Sequence, residues 1–138
     1  MSAGAVHKDL RNKAYCDWIE FLKSSEGWSK DEIEAHQLLE LKKLVRYAYE
    51  RTTGYRELYD AAGIHPDAIV SLDDFRKLPN IEKEMIRDRL EDFSVDVPGR
   101  NYITTGGSTG IPTGMYRDDV TFARELASKA YQYYRVAH

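Results

Sequence analysis

The residues of this chain whose types and spacing are best suited to chemistry lie in one short segment, residues 104–114. Four glycines are interspersed there with serine and threonine residues, between apolar and aromatic flanks. Glycines allow tight turns, and consecutive N–H groups in such a turn, together with hydroxyls, form a concave set of donors that suits phosphate oxygens. The segment therefore predicts a phosphate-binding loop, and the alternative is an ordinary glycine-rich hairpin turn.

The segment is not a Walker A loop, because no Gly-Lys-Ser/Thr follows at the required spacing. Residues 105–112 instead read Thr-Gly-Gly-Ser-Thr-Gly-Ile-Pro. In this they resemble the Ser/Thr/Gly-rich loop of adenylate-forming enzymes, which ends in Thr-Gly-x-Pro. The resemblance is to the form that this loop often takes in the phenylacetate-CoA ligase and CapK-like branch, named for capsular polysaccharide biosynthesis.

Segments before the loop also resemble the N-terminal part of that branch, in its order and at about its spacing. They are residues 44–50, 55–59, 62–64, 72–79 and 83–84. The resemblance covers nearly everything from Leu41 onward. It implies a ligase that activates a carboxylate with ATP, forming acyl-AMP and releasing pyrophosphate.

The resemblance also implies which residues would wrap the β- and γ-phosphates of ATP. They are Thr105, Gly106, Gly107, Ser108, Thr109 and Gly110. Hydroxyls of Ser108 and Thr109 and backbone N–H groups of the glycines would donate, and Pro112 would stiffen the exit from the loop. Many relatives outside this branch place a lysine where Ile111 stands, so neutralisation of the phosphates would fall to Mg²⁺, to Arg117 or to residues outside the chain. We therefore expect ATP and Mg²⁺ as cofactors of the full enzyme, and no tight binding of either by this chain alone.

The same resemblance sets an expectation for domain organisation. Adenylate-forming enzymes are chains of several hundred residues with a large N-terminal domain and a smaller C-terminal lid. We expect residues 1–138 to be a truncated N-terminal part of one such ligase domain, without the adenine pocket or the lid lysine. By itself this part is expected to be inactive in adenylation.

The composition argues against several classes of protein. The net charge is −3, with acids and bases interspersed, which offers no basic surface for nucleic acid. No apolar run approaches the roughly twenty residues of a membrane span, and the first residues lack the apolar region of a secretory signal. The single cysteine, Cys16, cannot form an internal disulfide, and its helical setting predicts a packed residue. We expect a soluble cytoplasmic protein without nucleic-acid or membrane partners.

Helical patterns precede the loop. Apolar spacing predicts a helix from Asp9 to about Lys23. Ser29 and Glu32 have the spacing of a capping box, which predicts a second, long helix that ends before Gly54. Three short helices are predicted after it, over residues 55–62, 71–75 and 81–90. Gly63 is expected to close the first of them, and Ser71 with Asp74 forms a second capping-box-like pair that opens the next.

The loop itself is flanked by β-forming residues, and the last segment is helical in pattern. Residues 101–105 and 113–117 predict two strands on either side of the loop. Residues 118–137 predict a long helix that Asp118 or Asp119 can cap. Its predicted apolar stripe consists of Ala123, Leu126, Ala130, Tyr133 and Ala137. The predicted fold class is α+β and mainly helical, with N-terminal helices, one β-hairpin around the Gly/Ser/Thr loop and a long C-terminal helix.

The sequence predicts no catalytic base, covalent nucleophile or metal site. None of the four histidines stands at the spacing of a metal site, and a surface position is predicted for each. They are His7, His36, His65 and His138.

Two functions stay open at this point. The first is the N-terminal portion of an ATP-dependent ligase that acts on a carboxylate, with a link to surface polysaccharide only through the family name. The second is a non-enzymatic helical binding or assembly module that retains a degenerate phosphate loop. For a truncated ligase we also expect a homodimer, because the last helix would otherwise expose Phe122, Leu126 and Tyr133.

Overall fold

The computed structural model describes residues 12–105, 110 and 112–137. Over these residues the protein is mainly helical, with a two-stranded antiparallel hairpin and a long last helix, so the predicted α+β class is confirmed. The chain forms two compact units. The first unit contains Met1–Trp28, Pro98–Asn101 and Arg117–His138, and the second contains Ser29–Val97 and Tyr102–Tyr116.

The described residues form six α-helices and two β-strands, with short 3₁₀ turns at Ser25–Gly27 and Pro66–Ala68. They are α1 (Lys13–Ser24), α2 (Lys30–Arg51), α3 (Thr53–Ala61), α4 (Leu72–Phe75), α5 (Lys83–Asp88), β1 (Asn101–Thr104), β2 (Gly114–Arg117) and α6 (Asp119–Ala137). None of these helices combines the length and the apolar character that crossing a membrane requires.

The first unit is built on the packing of α1 against α6. Helix α1 begins at Lys13 because the side-chain oxygen of Asn12 accepts a hydrogen bond from the Tyr15 N–H at 3.1 Å. The predicted start at Asp9 lies outside the described residues. Between the two helices, the Trp18 indole N–H donates to the Ser128 hydroxyl at 2.8 Å.

The apolar stripe predicted on α6 is correct at Ala123 and wrong towards its end. Ala127, which the prediction omitted, is 0% exposed, whereas Tyr133 is 78% exposed. The buried face instead follows a spacing of four residues through Ala123, Ala127 and Tyr131. Small alanine side chains let the helices approach, and the Tyr131 hydroxyl donates to the Glu26 carboxylate.

The prediction that Cys16 is a packed residue is also wrong, since its side chain is exposed. Residues two apart on a helix point to nearly opposite sides. Because Trp18 faces α6, Cys16 lies away from that contact.

In the second unit, side-chain caps begin α2 and α4 as predicted. The Ser29 N–H donates to the Glu32 carboxylate at 2.7 Å, and the Glu32 N–H donates to the Ser29 hydroxyl oxygen at 3.3 Å, which completes the capping box of α2. Ser71 and Asp74 form the second predicted box and open α4. The Lys77 ammonium and the Ser71 hydroxyl hold the pKa of the Asp74 carboxyl well below its usual value.

The core of the second unit lies between α2 and the segment that follows it. Val45, Tyr59 and Ile69 are its buried members. Partly buried residues packed around them are Tyr49, Tyr55, Leu58, Ile64, Phe75 and Leu78. Helix α3 ends before Gly63, whose φ of 67° is readily adopted only by glycine and turns the chain back towards this core.

Helix α5 is shorter than predicted. The prediction extended it to Leu90, but Arg89 leaves the helical conformation, with φ −135° and ψ 41°. The Asp92 N–H then donates to the Arg89 carbonyl at 3.0 Å, and residues 89–94 form a turn. This turn places the buried ring of Phe93 against the backbone of Gly54.

We predict that Gly54→Ala destabilises the second unit. A Cβ at this position would lie 2.9 Å from three carbons of the Phe93 ring, which is too close. Overpacking of this kind costs about 1–3 kcal/mol, and the loss is measurable as a lower urea midpoint. Gly27→Ala is the matched control because nothing lies within 4 Å of its Cβ position. Equal losses in the two variants would contradict the proposed contact.

Candidate phosphate-binding site

Two threonines join the strands at the base of the glycine-rich segment. The Thr105 N–H donates to the Thr113 carbonyl at 3.0 Å, and the Thr113 N–H donates to Thr105 Oγ1 at 3.1 Å. We call this pair the neck. It fixes the separation of Thr105 and Thr113 themselves, and the strands on either side of the neck are those that the sequence predicts.

The neck gives Thr105 a structural contact in addition to its predicted role. Its hydroxyl oxygen accepts from Thr113, and a hydroxyl can still donate its own hydrogen to a phosphate oxygen. Gly110 lies in an exposed bend with nothing within 4 Å of its Cβ position. The other predicted loop residues, Gly106, Gly107, Ser108 and Thr109, lie outside the described residues, as does Ile111. The assignment of these residues to phosphate stays a prediction.

Arg117 was one of three predicted sources of positive charge for the phosphates. The guanidinium donates to the Glu125 carboxylate at 2.9 Å and lies over the Phe122 ring, 3.9 Å from its centroid. Hydrogen bonds from Lys129, and then from Arg117, keep the pKa of the Glu125 carboxyl below its usual value. The Arg117 charge is therefore already engaged within the first unit.

Metal-binding groups are absent from the part of the chain that the structure describes, where no three His, Cys, Asp or Glu side chains gather. His36 is half-buried on α2 and His65 is exposed. The His65 Nδ1 accepts from the Asp67 N–H at 3.3 Å. His7 and His138 lie outside the described residues.

An apolar cleft of ≈ 540 Å³ in the second unit was missed by the sequence analysis. Its lining includes Leu44, Val45, Tyr47, Ala48, Tyr55, Tyr59, Phe75, Leu78, Ile81, Phe93 and Val95, with Arg76 and Asn80 among its polar groups. Leu44 and Tyr47 are 59% and 46% exposed. Both lie on α2 next to its buried residues Val45 and Ala48. These two additional apolar residues in the helix are the signal in the sequence that could have revealed the cleft.

We predict that Thr105→Val opens the neck whereas Thr105→Ser keeps it. Valine has the same shape as threonine but offers no acceptor to the Thr113 N–H, while serine retains the hydroxyl. Loss of one hydrogen bond corresponds to about threefold to tenfold faster amide exchange at Thr113. Hydrogen exchange followed by NMR measures the exchange rate of the Thr113 amide in each variant. Equal exchange rates in the valine and serine variants would show that the side chain does not hold the neck.

No family model matches the chain, but similar proteins are known. Phenylacetate-coenzyme A ligase of Escherichia coli (strain K12) is 37% identical over 97 residues, which cover 67% of this chain and 22% of that protein. The enzyme of the same name from Aromatoleum evansii is 40% identical over 95 residues, with 67% and 22% covered. That of Thermus thermophilus is 31% identical over 106 residues, with 73% and 24% covered.

The chain thus spans under a quarter of the length of these relatives, 22–24%. Within the chain the similarity is extensive, at 67–73% of its length. Over that part of its length the chain is similar to phenylacetate-coenzyme A ligases, at 31–40% identity.

Proposed function

We propose that this chain supplies the phosphate-binding part of a ligase that activates a carboxylate with ATP. The observation that carries the proposal is the neck. It holds both ends of a Gly/Ser/Thr segment in a chain that is similar to phenylacetate-coenzyme A ligases. The names of those relatives indicate an aryl-substituted carboxylate as substrate and coenzyme A as acceptor in the longer enzyme.

In this proposal the loop acts by holding phosphate rather than by transferring protons. Backbone N–H groups of the glycines and hydroxyls of Ser108 and Thr109 donate to oxygens of the β- and γ-phosphates. Holding these oxygens in place orients the leaving pyrophosphate while the carboxylate attacks the α-phosphorus. The hydroxyl of Thr105 adds a donor at the neck.

The donor set fits a polyphosphate but carries no charge of its own. Ile111 stands where many relatives outside this branch place a lysine, and the Arg117 guanidinium is engaged by Glu125. Mg²⁺ bound with ATP supplies positive charge in such chemistry. With neutral donors alone, we expect weak rather than tight binding of phosphate by this chain.

The finer assignment to the CapK-like branch rests on the resemblance of residues 105–112 and of the segments that precede them. With it comes a role in surface polysaccharide biosynthesis, which only the family name indicates. We place this assignment second to the phenylacetate-coenzyme A ligase type, because the relatives reported above carry that name.

We predict weak binding of magnesium pyrophosphate and no ATP–pyrophosphate exchange by this chain alone. Calorimetric titration is expected to give a dissociation constant of about a millimolar, with affinity lost in Ser108→Ala. Ser24→Ala, an exposed serine of the first unit, is the control and should bind as the unmodified chain does. Robust exchange that Ser108→Ala abolishes would contradict this prediction. If the activity of a longer protein that contains this chain did not depend on nucleotide, the ligase proposal itself would be contradicted.

The second candidate function is a helical binding module that keeps the loop without using it. The apolar cleft favours it, because Leu44 and Tyr47 present apolar surface there. Failure of the chain to bind pyrophosphate, with the fold intact, would favour this module over the ligase.

We also propose that a second copy of the chain covers the apolar surface of α6. Phe122 and Leu126 are half-buried within the described residues, but Tyr133 and Val136 are exposed. We predict that Tyr133→Glu shifts a dimer towards monomer in light scattering across a dilution series. Gln132→Glu adds the same charge on a neighbouring face and should leave the dimer intact. A well-folded monomer at high concentration would contradict the dimer.

A further inference from the structure

The apolar cleft of the second unit is bordered by a buried hydroxyl that the fold itself does not use. Tyr59 lines the cleft and is 6% exposed, yet its hydroxyl forms no hydrogen bond with any other residue that the structure describes. A buried tyrosine hydroxyl ordinarily has a partner. Among the described residues that are not exposed, every fully enclosed side-chain oxygen or nitrogen has one. The Tyr59 hydroxyl is therefore not fully enclosed, and the cleft is the open space that its side chain borders.

A second tyrosine of the cleft has a free hydroxyl as well. The Tyr55 ring centroid lies 5.9 Å from that of Tyr59, and the Tyr55 hydroxyl has no partner within the described part of the chain. Burial raises the pKa of both hydroxyls, so each is a neutral group that can donate and accept. The Thr52 hydroxyl, which also lines the cleft, is used within the fold, because it donates to the Ala48 carbonyl at 2.8 Å and accepts from the Tyr55 N–H at 3.3 Å. The two tyrosine hydroxyls thus remain available to a ligand.

The size and the charge of the cleft limit what this ligand can be. Its volume of ≈ 540 Å³ lies within the range of about 300–1,000 Å³ that is typical of small-molecule sites. The rings of Tyr47, Phe75 and Phe93 supply flat apolar surface. The charged residue of the lining is Arg76, which is exposed and whose guanidinium donates to the Asp73 carboxylate. An anion inside the cleft would lose hydration without a free cation to compensate, so the lining favours an uncharged ligand.

We propose that the cleft binds an uncharged aromatic molecule of one or two rings that carries a hydrogen-bonding group. The rings of the ligand pack among the aromatic side chains of the lining, and its polar group bonds to the Tyr59 hydroxyl, with the Tyr55 hydroxyl beside it. The site is separate from the phosphate loop, because every residue of the lining lies between Leu44 and Val95. The inference therefore goes beyond the proposed function and does not rest on it.

The test titrates the whole chain with two probes of the same ring system, followed by calorimetry. 2-Naphthol is uncharged near neutral pH and has one hydroxyl, whereas 2-naphthoate carries a negative charge. We expect 2-naphthol to bind with a dissociation constant on the order of 0.1 mM. We expect 2-naphthoate to bind at least about tenfold more weakly, because its charge loses hydration in the cleft.

A pair of tyrosine variants tests the hydroxyl. Tyr59→Phe keeps the ring, and we expect it to weaken the binding of 2-naphthol about threefold to tenfold. Tyr49→Phe is the matched control. The Tyr49 ring stacks on that of Tyr59 at 6.5 Å, but its hydroxyl donates to the Asp60 carboxylate at 2.8 Å and it lies outside the lining of the cleft. Because the Tyr59 hydroxyl has no partner among the described residues, the urea midpoint of Tyr59→Phe is expected to match that of the unmodified chain.

A second pair of variants tests whether the probe enters the cleft. Leu44 lines the cleft and is 59% exposed, so Leu44→Glu places a charge in the lining at a position that tolerates it. We expect it to weaken the binding of 2-naphthol at least about fivefold. Leu39→Glu adds the same charge to the same helix, at a residue that is 52% exposed and outside the lining. This control should bind as the unmodified chain does.

The outcomes decide the proposal without involving phosphate. Weaker binding in Tyr59→Phe and Leu44→Glu, with both controls unchanged, supports the site. Failure of the unmodified chain to bind 2-naphthol would overturn it, as would equal affinities of Tyr59→Phe and Tyr49→Phe. Binding of 2-naphthoate as tight as that of 2-naphthol would show that the class of ligand is wrong. The ligase proposal is tested separately with magnesium pyrophosphate, so either proposal can fail while the other stands.

Discussion

The close contact between Gly54 and Phe93 is the constraint on which the second unit depends. The ring lies where any side chain at position 54 would have to be, and the neighbouring Asp92 carbonyl accepts from the Gly54 N–H at 2.8 Å. Backbone and ring together hold the turn of residues 89–94 on the first residues of α3. Glu91 lies in that turn and its carboxylate accepts a hydrogen bond from the Tyr116 hydroxyl on β2. The hairpin is therefore attached to the turn that the Gly54–Phe93 contact holds.

A series of aromatic contacts connects the Phe93 ring to the core of the second unit. Phe93 meets the Tyr55 ring edge to face at 5.3 Å, and Tyr55 lies 5.9 Å from Tyr59, whose ring is stacked 6.5 Å from Tyr49. Burial raises the pKa of the Tyr55 and Tyr59 hydroxyls, so these side chains stay neutral at physiological pH. The rings therefore join α2, α3 and the turn without introducing charge into the core.

Features set by local chemistry could be predicted from the sequence. The capping boxes at Ser29 and Ser71, the glycine that ends α3 and both strands of the hairpin depend on residues close together in the chain. Features that depend on contacts between distant parts of the chain could not be predicted from the sequence. Helix α5 ends before the turn of residues 89–94, in which Phe93 packs on Gly54. Helix α6 buries the small side chain of Ala127 at its contact with α1 and leaves Tyr133 exposed. The cleft and the bond between Tyr116 and Glu91 likewise depend on elements that only the folded chain brings together.

The central claim is that the segment closed by Thr105 and Thr113 binds a polyphosphate. Its most direct test is a titration of the isotopically labelled chain with magnesium pyrophosphate, followed through backbone amide resonances. The account predicts saturating shifts at residues 105–110 and at Thr113, with the end of α6 unaffected. Absent shifts in the loop, or equal shifts along α2 and α6, would contradict it.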